Sequence, residues 1–294
     1  MMHTDNLGFL PIQLEQGLLL DMVQAQSIGE AHMADYAFAE PFAHAVIDDF
    51  LPTELAEQIL KHFPTDKKTH DKVYLKGYGG LHKRQVQPAD CDEYTRNLFG
   101  FFNSSAMLKF LEGITNIQGL LPDPYFAGGG FHEISTGGLL GIHADFRVNE
   151  GLQLIRRVNV LIYLNKNWQD SYAGKLELWD KAMTHKVKEI APLFNRCVIF
   201  NTDIDSFHGH PEPLATPAEI TRKSIALYYY TALPIANDTG ESRHTNYVAR
   251  PNDTPQNIAD AKKLAKKRHK RAKKMFGEDA NWFDKAQQKI KDLF

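Results

Sequence analysis

Arg157-Val158-Asn159-Val160-Leu161-Ile162-Tyr163-Leu164 decides how this chain folds. Val158, Val160, Ile162 and Leu164 recur at every second position, the period of a β-strand rather than a helix. Shorter runs of the same kind surround it: Phe131 to Ile134, Leu139 to His143, Lys175 to Trp179, Lys186 to Ile190, Cys197 to Asn201 and Ser224 to Tyr230. Turn residues such as Gly137-Gly138 and Gly174 punctuate them. Many short strands, with helical patterns placed earlier, predict a jelly-roll barrel with a helical buttress. Gly128-Gly129-Gly130 lacks a strand–GxGxxG–helix setting, so a dinucleotide-binding Rossmann unit is disfavoured.

Upstream, Ala45-Val46-Ile47-Asp48-Asp49-Phe50 reads as a strand with a polar end. A helix follows from Pro52, with Leu55, Ile59, Leu60 and Phe63 as its apolar stripe. Residues 65–90 are polar and carry Tyr74, Tyr78, Gly79 and Gly80, the composition of a long loop or irregular strand pair that shapes a substrate site. Residues 92–112 read as one helix. Residues 1–40 read as a peripheral arm, with Leu18, Leu19, Leu20, Met22 and Val23 on one short amphipathic helix. Downstream, residues 236–260 are polar and a helix is expected from Asp260. Lys262 to Lys274 contains nine Lys or Arg and no acid, and Trp282, Phe283, Ile290, Leu293 and Phe294 suggest a second helix docking back.

With 294 residues the chain is long enough for one large decorated domain. A net charge of -2 gives the whole molecule no strong electrostatic instruction. Cys91 and Cys197 lie far apart and form neither a zinc-knuckle spacing nor a disulfide framework, which fits a reducing cytoplasmic setting. No secretory leader pattern and no run of about 18 apolar residues is present, so no membrane span is expected.

His143-Ala144-Asp145, followed at a distance by His208, has the chemistry of a facial triad: two imidazoles and a carboxylate around Fe(II), with positions left open. On a strand, His143 and Asp145 share a face. The competing reading makes them a surface hydrogen-bonded pair, since thirteen histidines make an HxD easy to meet by accident. His210 has the same parity as His208 and is the alternative distal ligand.

In order along residues 125–231 the chain carries His143-x-Asp145, Arg157 to Trp168, the turn Tyr172-Ala173-Gly174-Lys175-Leu176-Glu177-Leu178-Trp179, Phe207-His208-Gly209 and Arg222-Lys223-Ser224. This combination resembles the Fe(II)- and 2-oxoglutarate-dependent dioxygenases, in their prolyl 4-hydroxylase-like branch. The resemblance implies a fold mainly β with α: a double-stranded β-helix (jelly roll, cupin-like) buttressed by N-terminal helices, with a helical C-terminal extension. It implies an N-terminal arm over 1–40, a helical and loop buttress over 41–124, the catalytic core over 125–234, and a polar linker with basic helical extension over 235–294. His143, Asp145 and His208 become the metal ligands. Arg222 pairs with the distal carboxylate of 2-oxoglutarate, its planar fork suiting a bidentate grip. Ser224 and Tyr163 become further co-substrate contacts, although Tyr163 would equally fill the barrel, and Asn159 becomes a donor to the co-substrate or to the metal-bound carboxylate. Fe(II), 2-oxoglutarate and O2 are the implied cofactors, with ascorbate supportive. The implied activity is hydroxylation of an unactivated C–H bond with release of succinate and CO2. Related halogenases lack the triad carboxylate, which Asp145 supplies here.

Residues flanking the motif, His132, Arg147, His210 and Asn201, are substrate candidates, with Glu133, Phe146, Arg156 and Asp203 also near the opening. The family serves small metabolites and protein side chains such as proline, and a small biosynthetic substrate is the preferred reading. The basic stretch 262–274 reads first as a solvated capping helix; nucleic acid is an alternative partner that the near-neutral chain disfavours. Two other functions stay open: a non-enzymatic jelly-roll ligand-binding protein, and a cupin enzyme independent of 2-oxoglutarate.

Overall fold

The structure is a computed structural model that describes residues 8–15, 17–68, 71–232 and 245–276, with side chains as far as Lys267. Helices α1 (Met22–Ala31) and α2 (Met33–Ala37) precede strand β1 (His44–Ile47), helix α3 (Thr53–Lys61) and the hairpin of β2 (Lys72–Leu75) with β3 (Leu81–Val86). Helices α4 (Glu93–Phe102) and α5 (Ser105–Thr115) follow, and then β4 (Leu121–Pro122), β5 (Gly130–Ala144), β6 (Val148–Asn149), β7 (Leu154–Tyr163), β8 (Leu176–Trp179), β9 (Lys186–Ile190), β10 (Cys197–Asn201), β11 (His208–His210), β12 (Arg222–Ala232), β13 (Asn246–Tyr247) and helix α6 (Pro255–Phe276).

The main strands run in the order β1-β10-β7-β12-β5-β11-β8-β9, and their pairings are antiparallel. This is the double-stranded β-helix expected from the strand pattern. The alternation in β7 explains how it is filled. Val158, Val160 and Ile162 join Phe99, Phe102, Phe110 and Leu111 of α4 and α5 in the outer core. Leu161 and Tyr163 face the other way, against Leu176, Leu178, Val198 and Phe200 inside the barrel. One face thus packs on helices and the other lines the interior, so both are buried.

The strand carrying His143 differs from expectation. Phe131 to Ile134 and Leu139 to His143 are not two strands around a turn but parts of one 15-residue strand, β5. Its first part pairs with β12, from Ala226↔Gly130 to Arg222↔Ile134. Its last part pairs with β11 and β13 in the other sheet. The transfer happens at Gly137, whose φ of 74° admits a sharp bend without breaking the strand.

Several helices also depart from the pattern reading. Residues 92–112 form two helices because Ser104 caps the second, accepting from the Met107 N–H at 3.4 Å. The first is capped by Asp92, which accepts from the Thr95 N–H at 2.8 Å. Near the N-terminus, Leu18 to Leu20 are not helical. Leu19 bridges to Gln13, and α1 starts only after Asp21. Met22 and Val23 are exposed, and the helix packs on α5 through its buried Ala25 and Gly29. Leu10, Ile12 and Tyr36 are core residues, so the segment is more than a peripheral arm. Residues 71–86 form the β2–β3 hairpin, which extends the sheet beside β5.

At the other end α6 begins at Pro255, five residues before the expected start, with Thr254 accepting from the Asn257 N–H at 3.2 Å. It seats on the hairpin turn Gly77–Gly79 and on β13. The second helix expected from Trp282 to Phe294 lies outside the described residues, as do residues 236–244 of the polar linker. Among the described residues no helix is long and apolar enough to cross a membrane.

Gly141 gives a direct test of this packing. A Cβ there would lie 2.3 Å from the Tyr78 ring and 2.5 Å from the Tyr78 carbonyl oxygen. Gly141→Ala should cost about 1–3 kcal/mol by overpacking, read as a lower Tm, and should loosen His143, whose ring bonds to the Gly141 carbonyl. An unchanged Tm would show that the hairpin is not clamped there.

Candidate active site

His143 lies near the end of β5 and His208 opens β11, and the two stand directly opposite in register. Their ring centroids are 4.5 Å apart. His208 is therefore a neighbouring-strand partner, not a residue brought from across the barrel. Asp145 sits just past the end of β5 and reaches both rings. The His143 Nε2 is 3.7 Å from its Oδ1 and the His208 Nε2 is 3.5 Å from its Oδ2. One ligand atom from each residue lies within 4.8 Å of the others, the arrangement of a site that could hold a metal ion.

The orientation of the rings tests whether they suit a metal. The His143 Nδ1 meets the Gly141 carbonyl at 2.8 Å and the His208 Nδ1 meets the Ser206 carbonyl at 2.9 Å. A carbonyl only accepts, so each Nδ1 carries the proton and each Nε2 lone pair is left facing Asp145. Burial, then the neighbouring His208, lowers His143 to about 3 despite the pull of Asp145. Burial likewise lowers His208. Burial alone would raise the Asp145 carboxyl, but Arg156, the two imidazoles and Asn159 hold it below the usual range. Two neutral imidazoles and one carboxylate are what a divalent ion of intermediate softness takes.

Asp145 is held from behind. The Arg156 Nη2 lies 3.0 Å from its Oδ2, and the Asn159 amide donates to the same oxygen at 2.7 Å. Asn159 in turn accepts from the Arg156 Nε at 2.8 Å and from the Thr202 hydroxyl at 3.2 Å. This orients a carboxylate that lies beyond the strand's own hydrogen bonds.

The three residues line a cavity of about 600 Å³ whose far part reaches Arg222 and Ser224. Arg222 is buried. Its Nε donates to the Gly174 carbonyl at 2.8 Å and its Nη2 to the Tyr163 hydroxyl at 3.2 Å, with the guanidinium 4.9 Å from the Tyr163 ring centre. Among the described residues no carboxylate pairs with it. A buried cation without a counter-ion is costly, and an anion arriving through the cavity would relieve that cost.

Residues 129–230, which contain the triad and Arg222, match the 2OG-Fe(II) oxygenase superfamily. These residues form an oxygenase domain of that superfamily. It is a dioxygenase that uses Fe(II), 2-oxoglutarate and O2. A comparison with curated proteins finds no match. Among solved structures, the oxygenase is similar to a Pseudomonas putida prolyl-4-hydroxylase at 17% identity and a TM-score of 0.49, covering 69% of this chain and 98% of that one. It is similar to a Trichoplax adhaerens prolyl hydroxylase, solved with a hypoxia inducible factor peptide fragment, at 18% identity and a TM-score of 0.47, covering 71% and 91%. HygX from Streptomyces hygroscopicus, with nickel, 2-oxoglutarate and hygromycin B bound, is similar at 12% identity and a TM-score of 0.45, covering 64% and 82%.

Other residues singled out from the oxygenase sequence fall in different places. His132, His210 and Phe146 line the cavity. Both ring nitrogens of buried His210 lack a hydrogen-bond partner, whereas the His132 Nε2 meets the Gly128 carbonyl at 2.9 Å. Arg147 and Asn201 are not among the lining residues. Arg147 pairs with Asp203 at 3.1 Å, and the Asn201 side chain accepts from the Tyr36 hydroxyl at 2.6 Å. Nearness in sequence to a triad residue or a strand end points to both, but their side chains turn away. Glu133 also turns outward, to Arg84. Arg156, read as an opening residue, is instead the buried partner of Asp145. Lys72, Lys76, Lys83 and Lys267 line the cavity and were not foreseen. They lie far from the motif, and lysines carry no spacing that marks them out.

His132 supplies a pH test. Burial, then nearby Lys83, holds it well below the ordinary histidine value of 6.5. The unfolded chain therefore binds a proton that the fold refuses. This stability contribution is complete above about pH 6.5 and is lost as pH falls below it, by up to about 1.4 kcal/mol per unit for one such group. His132→Gln should make the acid side of the stability profile shallower in denaturant titrations at pH 7 and 5.5. An unchanged slope would show that His132 does not contribute.

Proposed function

We propose that this oxygenase hydroxylates an unactivated C–H bond of a small biosynthetic molecule, with release of succinate and CO2. In this reading His143, Asp145 and His208 hold the iron. Arg222, with Tyr163 and Ser224 beside it, grips the distal carboxylate of 2-oxoglutarate. The observation that carries the reading is Arg222, buried in the same cavity as the triad and, among the described residues, without a counter-ion.

When bound, Fe(II) supplies dioxygen activation coupled to oxidative decarboxylation of 2-oxoglutarate. The chain's own residues bind, orient and exclude water. The Tyr163 ring and hydroxyl and the Gly174 carbonyl fix the Arg222 fork, so less ordering remains when the carboxylate arrives. Asn159 acts through Asp145 as a positioning residue rather than by touching the co-substrate. Leu161, Leu176, Ile134 and Phe200 give the inner cavity an apolar wall, which favours water exclusion. Asp145 supplies the carboxylate ligand, which supports hydroxylation over halide transfer.

A cavity of about 600 Å³ is of small-ligand size, and that supports a small metabolite over a protein side chain such as proline. Membership of the prolyl 4-hydroxylase-like branch is supported by the order of the sequence motifs. A cytoplasmic setting, suited to the free thiols of Cys91 and Cys197, belongs to the same proposal.

The test is anaerobic titration of the apoprotein with Fe(II) and then 2-oxoglutarate. A weak visible charge-transfer band that needs both additions and is absent from His143→Ala is the expected result. A folded, metal-loaded protein without the band would sink the co-substrate assignment and favour a cupin chemistry independent of 2-oxoglutarate.

A further inference from the structure

We infer that the mouth of this cavity is a phosphate-binding site, and that the primary substrate is a small phosphate-bearing molecule. This rests on the preceding assignment of the triad and Arg222 to iron and 2-oxoglutarate.

The cavity lining is strongly cationic. Lys72, Lys76, Lys83, Lys267, Arg156 and Arg222 line the cavity, and Asp145 is the single carboxylate among the lining residues. Arg156 pairs with Asp145. Arg222 and the metal answer the two carboxylates of 2-oxoglutarate. Among the described residues the four lysines are then left without counter-charge. Among the described residues none of the four has an ion pair or a side-chain hydrogen bond. Surface lysines of the same chain do pair: Lys175 with Asp170, Lys181 with Asp205, Lys166 with Glu57.

The lysines are also gathered. The ammonium groups of Lys72, Lys76 and Lys83 lie 5.0, 5.5 and 5.1 Å from the centre of one ring, that of Tyr74. The ring's negative face attracts them but carries no net charge to cancel theirs. All three come from the β2–β3 hairpin. The turn of that hairpin is also the seat of α6, where Leu264 packs on Gly79. Docked there, α6 brings Lys267 to the same cavity. Two elements far apart in sequence therefore present cations at one opening. Lys83 is the half-buried member. Burial, and then Lys72, Arg222 and Arg156 against the pull of Asp145, lower it to about 8. Like charges gathered in this way raise the energy of the empty site, and an anion removes that cost.

Phosphate fits better than carboxylate. A phosphate monoester carries nearly two charges and three acceptor oxygens, so several point-charge ammoniums can engage it at once. A carboxylate matches the planar arginine fork, which this cavity offers at Arg222. A small molecule fits better than a nucleic acid, because the lysines converge on a concavity and the whole chain carries -2.

The test titrates phenyl phosphate, benzoate and a single-stranded decanucleotide into the full chain loaded with redox-inert Ni(II) and 2-oxoglutarate, by calorimetry. Phenyl phosphate should bind one to one and at least ten-fold tighter than benzoate. Lys72→Ala/Lys76→Ala/Lys83→Ala should weaken it at least thirty-fold, and Lys262→Ala/Lys263→Ala, exposed and outside the cavity, should not. If the triple variant does not fold, the exposed pair Lys72→Ala/Lys76→Ala should still lose at least five-fold. Equal binding of benzoate, no loss in the lysine variants, or tight binding of the oligonucleotide alone would each overturn the inference. Titrating 2-oxoglutarate into the Ni(II)-loaded protein separates the two readings. Co-substrate binding without phenyl phosphate binding defeats the phosphate site only. Phenyl phosphate binding without co-substrate binding defeats the 2-oxoglutarate assignment.

Discussion

Asp145→Ala is expected to lose Fe(II)-supported succinate formation by at least about a hundred-fold and also to destabilise the metal-free protein by about 3–5 kcal/mol. The first effect follows from removing a ligand. The second follows from Arg156, which is fully buried and whose carboxylate partner is Asp145. Truncation would strand that cation and leave the Asn159 amide without its acceptor. His143→Ala is the informative contrast. Its ring is neutral and bonds to one carbonyl, so it should lose turnover to a similar degree at a cost of about 1–3 kcal/mol. Urea unfolding of both variants without metal separates the two contributions. Equal stabilities would mean that Arg156 finds another partner, and normal turnover in both would remove the triad from the chemistry. Sequence alone suggests that either substitution leaves the fold largely intact; the Arg156 pairing makes Asp145 different.

Arg222→Met should raise the 2-oxoglutarate concentration for half-maximal succinate formation by about a hundred-fold, as expected for losing a charge-assisted bidentate contact. The fold should tolerate the change. Among the described residues the native guanidinium has only a carbonyl and a phenol as partners, so replacing a buried cation that lacks a carboxylate there by an apolar side chain of similar length removes a desolvation cost. We expect metal-free stability equal to or above the parent. This pairing of outcomes distinguishes a co-substrate anchor from a structural arginine, whose loss would lower stability and leave the concentration dependence unchanged.

Much of this was readable from single elements. The alternation in Arg157 to Leu164 specifies a strand with two distinct faces, and it does so locally because side-chain direction follows the backbone period. His143, Asp145, His208 and Arg222 were readable as residue types in order. Ser224 returns to the cavity, while Lys223 turns outward to Glu133, as parity requires. Helix ends were less readable, because Ser104 and Asp21 compete with apolar patterns that run through them. Arg147 and Asn201 show the limit of nearness in sequence as a guide, since each side chain takes a partner that the motif does not reveal.

What the sequence by itself determined was the strand period, the donor chemistry of the triad and the presence of a cation after it. What only the tertiary structure decided was pairing: His143 against His208 across neighbouring strands, Arg156 beneath Asp145, and Lys83 and Lys267 at one opening. The reason is physical. Periodicity and residue chemistry act over a few bonds and are written in the local chain. Register, burial and the summed field of distant charges exist only once long-range hydrogen bonds and packing bring separate strands and helices together.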